Sequence, residues 1–240
     1  MTIPLLEVCV DDADSLLAAF EGGADRIELC SALEVGGLTP TPGLMRLAAT
    51  LPIPVYAMVR PRPGDFVFGE GDVGTMLADI DAIRAAGLAG VVLGASRPDG
   101  ALDVAVLERL AERADGLGMT LHRAFDLVPD IAEAMEVAVA LGFERILTSG
   151  GALIALAGLA RLKQTFDAAQ GRIGVMPGSG LAPANVAAVL EAVPAFEVHS
   201  SCSVARPSAG GDAVRLGFAG ESRRVTTRDA VVAFRRSMTP

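Results

Sequence analysis

Asp25-Arg26-Ile27-Glu28-Leu29-Cys30 decides how this chain folds. Alternate residues of a β-strand point to opposite faces, so Ile27 and Leu29 share one face while Arg26, Glu28 and Cys30 share the other. A parallel sheet covered by helices on both faces is built from near-continuous Val/Ile/Leu runs, and this stretch is not one. A sheet rolled into a barrel accommodates it, with the aliphatic residues outward beneath helices and the polar ones lining a lumen. The same split recurs at Leu6–Val10, where Glu7 and Cys9 oppose Leu6, Val8 and Val10. At Val55–Arg60, Val55, Ala57 and Val59 oppose Tyr56, Met58 and Arg60. Thr120 with His122, and Glu197 with His199, repeat it.

Working outward, strands are expected at Leu5–Val10, Arg26–Cys30, Val55–Arg60, Gly90–Gly94, Thr120–Arg123, Arg145–Ser149, Ile173–Met176 and Phe196–His199. Amphipathic or Ala/Leu-rich segments lie between them, at Asp12–Glu21, Pro42–Leu51, Val73–Ala86, Val104–Leu117, Pro129–Leu141, Ala155–Ala169 and Pro183–Ala192. Pro129 and Pro183 are read as first-turn residues, and Thr226 with Asp229 as a capping box for a last helix over Arg228–Arg236. Eight strand–helix units in 240 residues make an α/β protein, a single-domain (β/α)8 TIM barrel spanning 1–240. Ser203–Arg224 exceeds an ordinary connection and is read as an extended loop or lid before the C-terminal helix.

Composition narrows the function. The net charge of −9, with no basic run, argues against nucleic acid as a partner. No uninterrupted apolar run of about 18 residues suggests a membrane span. The amino terminus lacks a signal-peptide pattern and the three cysteines have no short-spaced pair, so a reduced cytoplasmic protein is expected. Lys163, in a helical segment, is the sole lysine among 20 basic residues. No strand offers a lysine for a Schiff base, which argues against class I aldolase chemistry. No motif implies a nucleotide or PLP cofactor.

In a barrel the carboxyl ends of all strands meet at one face, where the site assembles. That brings Cys9, Asp11, Cys30, Arg60, His122, Arg123, Asp126, Ser149, Gly178 and His199 around one mouth. Strand 8 must pair with strand 1 and strand 1 with strand 2, so Glu7, Arg26, Glu28, Glu197 and His199 should form one hydrogen-bonded cluster. For the deeper pair, Glu7 and Arg26, an interior salt bridge competes with a binding role. His122 and His199, the only histidines, sit on inward faces beside acids, as general acids or bases or as metal ligands. The turns Thr148-Ser149-Gly150-Gly151 and Pro177-Gly178-Ser179-Gly180 follow strands 6 and 7, where barrels often hold phosphate on backbone amides; tight turns that need glycine are the plainer reading. Arg60 and Arg62 could clamp an anion. Barrel closure puts Cys9 and Cys30 on neighbouring strands, and thiolate and imidazole donors, with Met58 or Met176, suit Cu(I); burial as small hydrophobes is equally open.

Glu7-Val8-Cys9, Gly23-Ala24-Asp25-Arg26-Ile27-Glu28-Leu29-Cys30, Gly36-Gly37-Leu38-Thr39-Pro40, Arg60-Pro61-Arg62 with Gly64-Asp65-Phe66, His122-Arg123-Ala124-Phe125-Asp126, Leu147-Thr148-Ser149-Gly150 and Glu197-Val198-His199-Ser200-Ser201 resemble the copper homeostasis protein CutC family. The resemblance implies a cytoplasmic TIM barrel, often a homo-oligomer, that binds Cu(I) through the residues here numbered Cys9 and Cys30; Cys202 lies outside the matching motif. Two expectations follow. One is a copper homeostasis protein whose ligand is the copper ion. The other is an enzyme acting on a small anionic, phosphorylated or sugar-like substrate. There Glu28, His122, Asp126 and His199 carry acid–base chemistry, and Glu7, Arg26, Arg60, Arg123, Ser149, Gly150, Gly178 and Ser179 bind substrate.

Overall fold

The computed structural model describes residues 3–208 and 210–238. Eight parallel strands alternate with helices: β1 (Leu5–Val10), α1 (Ala13–Glu21), β2 (Arg26–Leu29), α2 (Pro42–Ala48), β3 (Val55–Met58), α3 (Glu70–Ala85), β4 (Gly90–Leu93) and α4 (Val104–Arg113) make the first half. The second half is β5 (Gly118–Leu121), α5 (Ile131–Ala140), β6 (Arg145–Thr148), α6 (Leu159–Ala169), β7 (Gly174–Pro177), α7 (Val186–Ala192) and β8 (Glu197–Ser200). After these come β9 (Ser203–Pro207), α8 (Asp212–Arg215), β10 (Ser222–Thr226) and α9 (Arg228–Ser237). The sheet runs β7-β6-β5-β4-β3-β2-β1-β8, with Glu7 opposite Arg26 on one side and His199 on the other.

The two ends of that sheet, β7 and β8, lie side by side, giving a nearly closed TIM barrel. Glycines form their inner seam. A Cβ on Gly174 would stand 2.6 Å from Glu197 Oε1, and one on Gly178 3.1 Å from His199 Cβ. The outward aliphatic residues, among them Leu6, Val8, Ile27, Leu29, Val55, Val59, Leu93 and Ile146, merge with Leu16, Ile80, Leu107, Leu110, Met135 and Leu162 of the helices into one apolar layer. Each such side chain contributes roughly 1.5–3 kcal/mol by leaving water, so the alternation read in the sequence fixes both the lumen and the helix-facing shell.

The departures are local. Asp130 caps α5 by accepting from the amides of Ala132 and Glu133, which leaves Pro129 outside the helix. Pro183 likewise precedes α7, in a turn pinned by Asn185, whose side chain accepts from Ala182 N and donates to Gly180 O. Thr227, one residue beyond the expected cap, accepts from Ala230 N, while the Thr226 hydroxyl donates to Ser201 O. Ser203–Arg224 is more ordered than a loop: β9 and β10 pair antiparallel, Ser203 opposite Thr226 and Val204 opposite Val225. Among the described residues no helix is long and apolar enough to cross a membrane.

Candidate metal and ligand site

The inward residues form two layers. In the floor, Arg26 donates through Nε to Glu7 Oε2, and through Nη2 to Glu197 Oε2 (2.5 Å) and Met176 Sδ (3.3 Å). Arg145 donates to the same Glu197 oxygen (3.2 Å) and to Thr120 Oγ1 (3.0 Å), and pairs with Glu144 (2.9 Å). The Tyr56 ring lies against both guanidiniums, 5.5 Å from that of Arg26 and 4.8 Å from that of Arg145, while its hydroxyl donates to Glu144 Oε2 at 2.7 Å. Gly90 and Gly118 make the room, since a Cβ on Gly118 would lie 2.2 Å from the Tyr56 hydroxyl. Burial alone would raise the Glu7 carboxyl, but the His199 hydrogen bond and the Arg26 charge bring it down to about 2. Glu7 and Arg26 are thus consumed in an interior ion-pair network beneath the cavity, and the binding role expected for them gives way to that one.

Above the floor opens a cavity of about 520 Å³. At its base the Cys9 Sγ, a Glu28 carboxylate oxygen and a His199 ring nitrogen lie within 4.8 Å of one another, all on buried residues. Glu7 Oε1 takes His199 Nδ1 at 2.8 Å, so the ring presents Nε2 toward Glu28, 3.8 Å away. A carboxylate holding the far nitrogen of a histidine is the usual support of a metal-ligating imidazole. Burial raises the Cys9 thiol and the Glu28 carboxyl. It opposes charge on His199 too, but Cys9, Glu28 and the Glu7 hydrogen bond outweigh it and hold that imidazole well above its ordinary pKa.

Cys30 stands one step away. Its Sγ donates to Glu28 Oε2 at 3.6 Å and it packs with Tyr56, Met58 and Val92, outside the group formed by Cys9, Glu28 and His199. The Cys30 sulfur thus touches the group through Glu28, from the strand next to that of Cys9. Met58 lines the cavity, whereas Met176 lies in the floor against Arg26. Cys202 is buried in the outer apolar layer, its thiol raised to about 11 chiefly by that burial.

His122 does not fit the expected general base. Its Nδ1 accepts from Ala124 N (3.1 Å), which places the proton on Nε2, and burial followed by the Arg60 charge lowers its pKa to about 3. The ring rests against Phe66, centroids 4.7 Å apart, and presents a neutral N–H donor.

The loops after β5 and β6 also differ from expectation. Asp126 Oδ1 accepts from Thr148 Oγ1 (2.6 Å), Ser149 N (3.0 Å) and Gly151 N (2.9 Å), and Oδ2 from Arg123 Nε (2.7 Å) and Ser149 Oγ (2.9 Å). Arg123 further donates to Ser179 Oγ, Ser149 Oγ and Ala152 O. Gly150 N donates to Thr148 Oγ1, Gly178 N to Thr148 O, and Ser179 Oγ to Leu153 O. The amides offered to a phosphate after β6 already hold an internal carboxylate. Asp126, Ser149 and Gly150 lock the loop, while Arg123 and Ser179 also reach the cavity wall. Sequence reasoning passed over Arg145 and Phe66. Arg145 shares strand parity with inward Leu147, a signal that was available; Phe66 belongs to a family motif, but its loop position assigned its ring no role.

The CutC family model matches residues 4–204. This chain belongs to the CutC family. A family protein CutC from Sinorhizobium medicae is 58% identical over 231 residues, covering 96% of this chain and 94% of its own length. One from Vibrio campbellii is 48% identical over 206 residues, 85% of this chain and 83% of its own. The solved CutC of Streptococcus agalactiae, named for copper homeostasis, is 29% identical with a TM-score of 0.79, over 82% of this chain and 98% of that one. Phosphoribosylanthranilate isomerase from Thermotoga maritima, 16% identical with a TM-score of 0.57 over 98% of each chain, shares the fold. The family match ends inside β9, so β10 and α9 of this CutC lie beyond it.

Proposed function

We propose that this CutC protein serves copper homeostasis by binding Cu(I) as its cargo at the base of the barrel mouth. The observation that carries the reading is the convergence of Cys9, Glu28 and His199 within 4.8 Å, with the Cys30 sulfur 3.6 Å from the same carboxylate. The donors fit the ion. Thiolates and the Met58 thioether are the soft ligands that select Cu(I) over harder cations, and imidazole also suits copper. Cys9 and His199 bind first, and Cys30 joins by a change of side-chain rotamer. Both thiols must lose protons that burial holds on, and His199 the proton its acidic neighbours hold on, so affinity rises with pH. Free thiols and a monovalent copper suit the reducing cytoplasm.

The competing reading, acid–base catalysis on an anionic substrate, loses its parts to structure: the His122 lone pair caps Ala124 N, and Asp126 fills the amides after β6. Competition against a Cu(I) chelator under reducing conditions tests the copper reading. Cys9→Ser should weaken binding most, Cys30→Ser about 10–100-fold, and Cys202→Ser not at all. Wild-type affinity in the Cys9→Ser/Cys30→Ser double variant would overturn it.

A further inference from the structure

Three buried polar atoms around this mouth have no hydrogen-bond partner among the described residues: Arg60 Nε, His122 Nε2 and Glu28 Oε1. Their residues are 4%, 3% and 3% exposed, and all three line the same cavity. Leaving one such group unsatisfied costs about 1–3 kcal/mol, and buried groups without partners are rare enough that three in one cavity require an explanation. Arg60 adds a second anomaly. Its Nη1 and Nη2 donate to the carbonyls of Val35, Gly37 and Gly64, yet among the described residues it pairs with no carboxylate. A buried guanidinium keeps its charge and calls for a counter-ion.

We propose that the mouth binds a small hydroxycarboxylate, its carboxylate between Arg60 Nε–H and His122 Nε2–H and a hydroxyl donating to Glu28 Oε1. Phe66 lies beside both side chains, its ring 5.0 Å from the Arg60 guanidinium carbon and 4.7 Å from the His122 ring centroid. The tautomer matters: because Nδ1 accepts from Ala124 N, the free nitrogen is a donor and suits an anionic oxygen. One N–H from each of two side chains matches the two oxygens of a planar carboxylate. A tetrahedral phosphate asks for a nest of amides; Asp126 takes those of Ser149 and Gly151 after β6 and Thr148 O takes that of Gly178 after β7, so phosphate is the comparator for the amides of Ser179 and Gly180. Glu28 uses Oε2 toward Cys30 and His199 and keeps Oε1 for the ligand, so this site adjoins the copper site without depending on it.

The test is calorimetric titration of the full chain, stripped of metal and kept reduced, with gluconate, malate, citrate and lactate, and with inorganic phosphate and propionate as comparators. At least one hydroxycarboxylate should bind with a Kd below about 1 mM, and lactate should exceed propionate by roughly tenfold for the hydroxyl contact. His122→Asn supplies an amide oxygen to the Ala124 N–H but no donor at the Nε2 position; it should keep the fold and weaken binding about tenfold or more. Ligand should also shift the ¹⁵N resonance of His122 Nε2, a readout that needs no variant. Because the titrated protein carries no metal, binding of the acid is read apart from copper binding. The proposal is overturned by a panel that leaves the His122 signal unmoved, by phosphate outcompeting every organic acid, or by undiminished binding in His122→Asn.

Discussion

In the floor of the barrel Arg26 is held by Glu7, Glu197 and Met176, whereas in the mouth above it Arg60 keeps a buried N–H with no acceptor among the described residues. Both are buried arginines, Arg26 on β2 and Arg60 just past the end of β3, and their surroundings assign them opposite work. Floor residues answer one another, so the charges are neutralised without help and serve to fix the β1, β2, β6 and β8 register. Mouth residues do not answer one another, and a chain keeps buried unsatisfied groups where something else completes them. Charge in a lumen is therefore weak evidence for function until its partners are counted.

The largest effect expected from this contrast is in the floor. Arg26→Met keeps the bulk of the side chain but leaves Glu7 and Glu197 without the cation between them. Breaking one partner out of a buried ion network costs about 3–5 kcal/mol, read as a lower urea midpoint at pH 7. An unchanged midpoint would mean that the floor network contributes no stability and would dissolve the distinction between the layers.

Strand parity alone separated lumen from shell, and it placed Cys9, Glu28, Cys30, Arg60, His122 and His199 inside the barrel. It says nothing about who satisfies whom. That Asp126 fills the amides of Ser149 and Gly151 depends on two loops meeting across more than 20 residues, and the His122 tautomer depends on one amide two residues on. Cys30 shares the parity of Glu28, yet its rotamer carries the sulfur toward Met58 and out of the group with Cys9. The β9–β10 hairpin escaped notice because Val204 and Val225, which pair across it, sit among Gly, Ala, Ser and Arg with too few apolar neighbours to show a period.

A smaller effect sharpens the comparison at the β6 loop. Asp126→Asn preserves shape but removes the charge and turns one acceptor into a donor facing N–H groups. Hydrogen bonds to a charged group contribute about 1.5–3 kcal/mol, and remaining contacts persist, so a loss of about 2 kcal/mol is expected with Cu(I) affinity unchanged. A collapse in Cu(I) affinity with intact stability would move Asp126 from the loop lock to the site.

The smallest effect lies in pH dependence and belongs to His122. Its pKa falls from 6.5 to about 3 on folding, so between those values the unfolded chain binds a proton that the folded chain refuses. Stability from this group is complete above pH 6.5 and is lost as pH falls toward 3, at up to about 1.4 kcal/mol per pH unit. His199 has the opposite sign: its raised folded pKa makes its contribution complete below 6.5 and lets it fade as pH rises. Comparing wild type with His122→Asn isolates the first term, since His199, Glu7 and Glu28 are common to both. Between pH 6.5 and 5 the wild type should lose stability relative to the variant, by urea midpoints, with the gap widening on acidification. Parallel curves would mean that His122 is protonated in the fold, with Nε2–H no longer the lone donor of a neutral ring, and the distinction between an answered floor and an unanswered mouth would have to be redrawn at that residue.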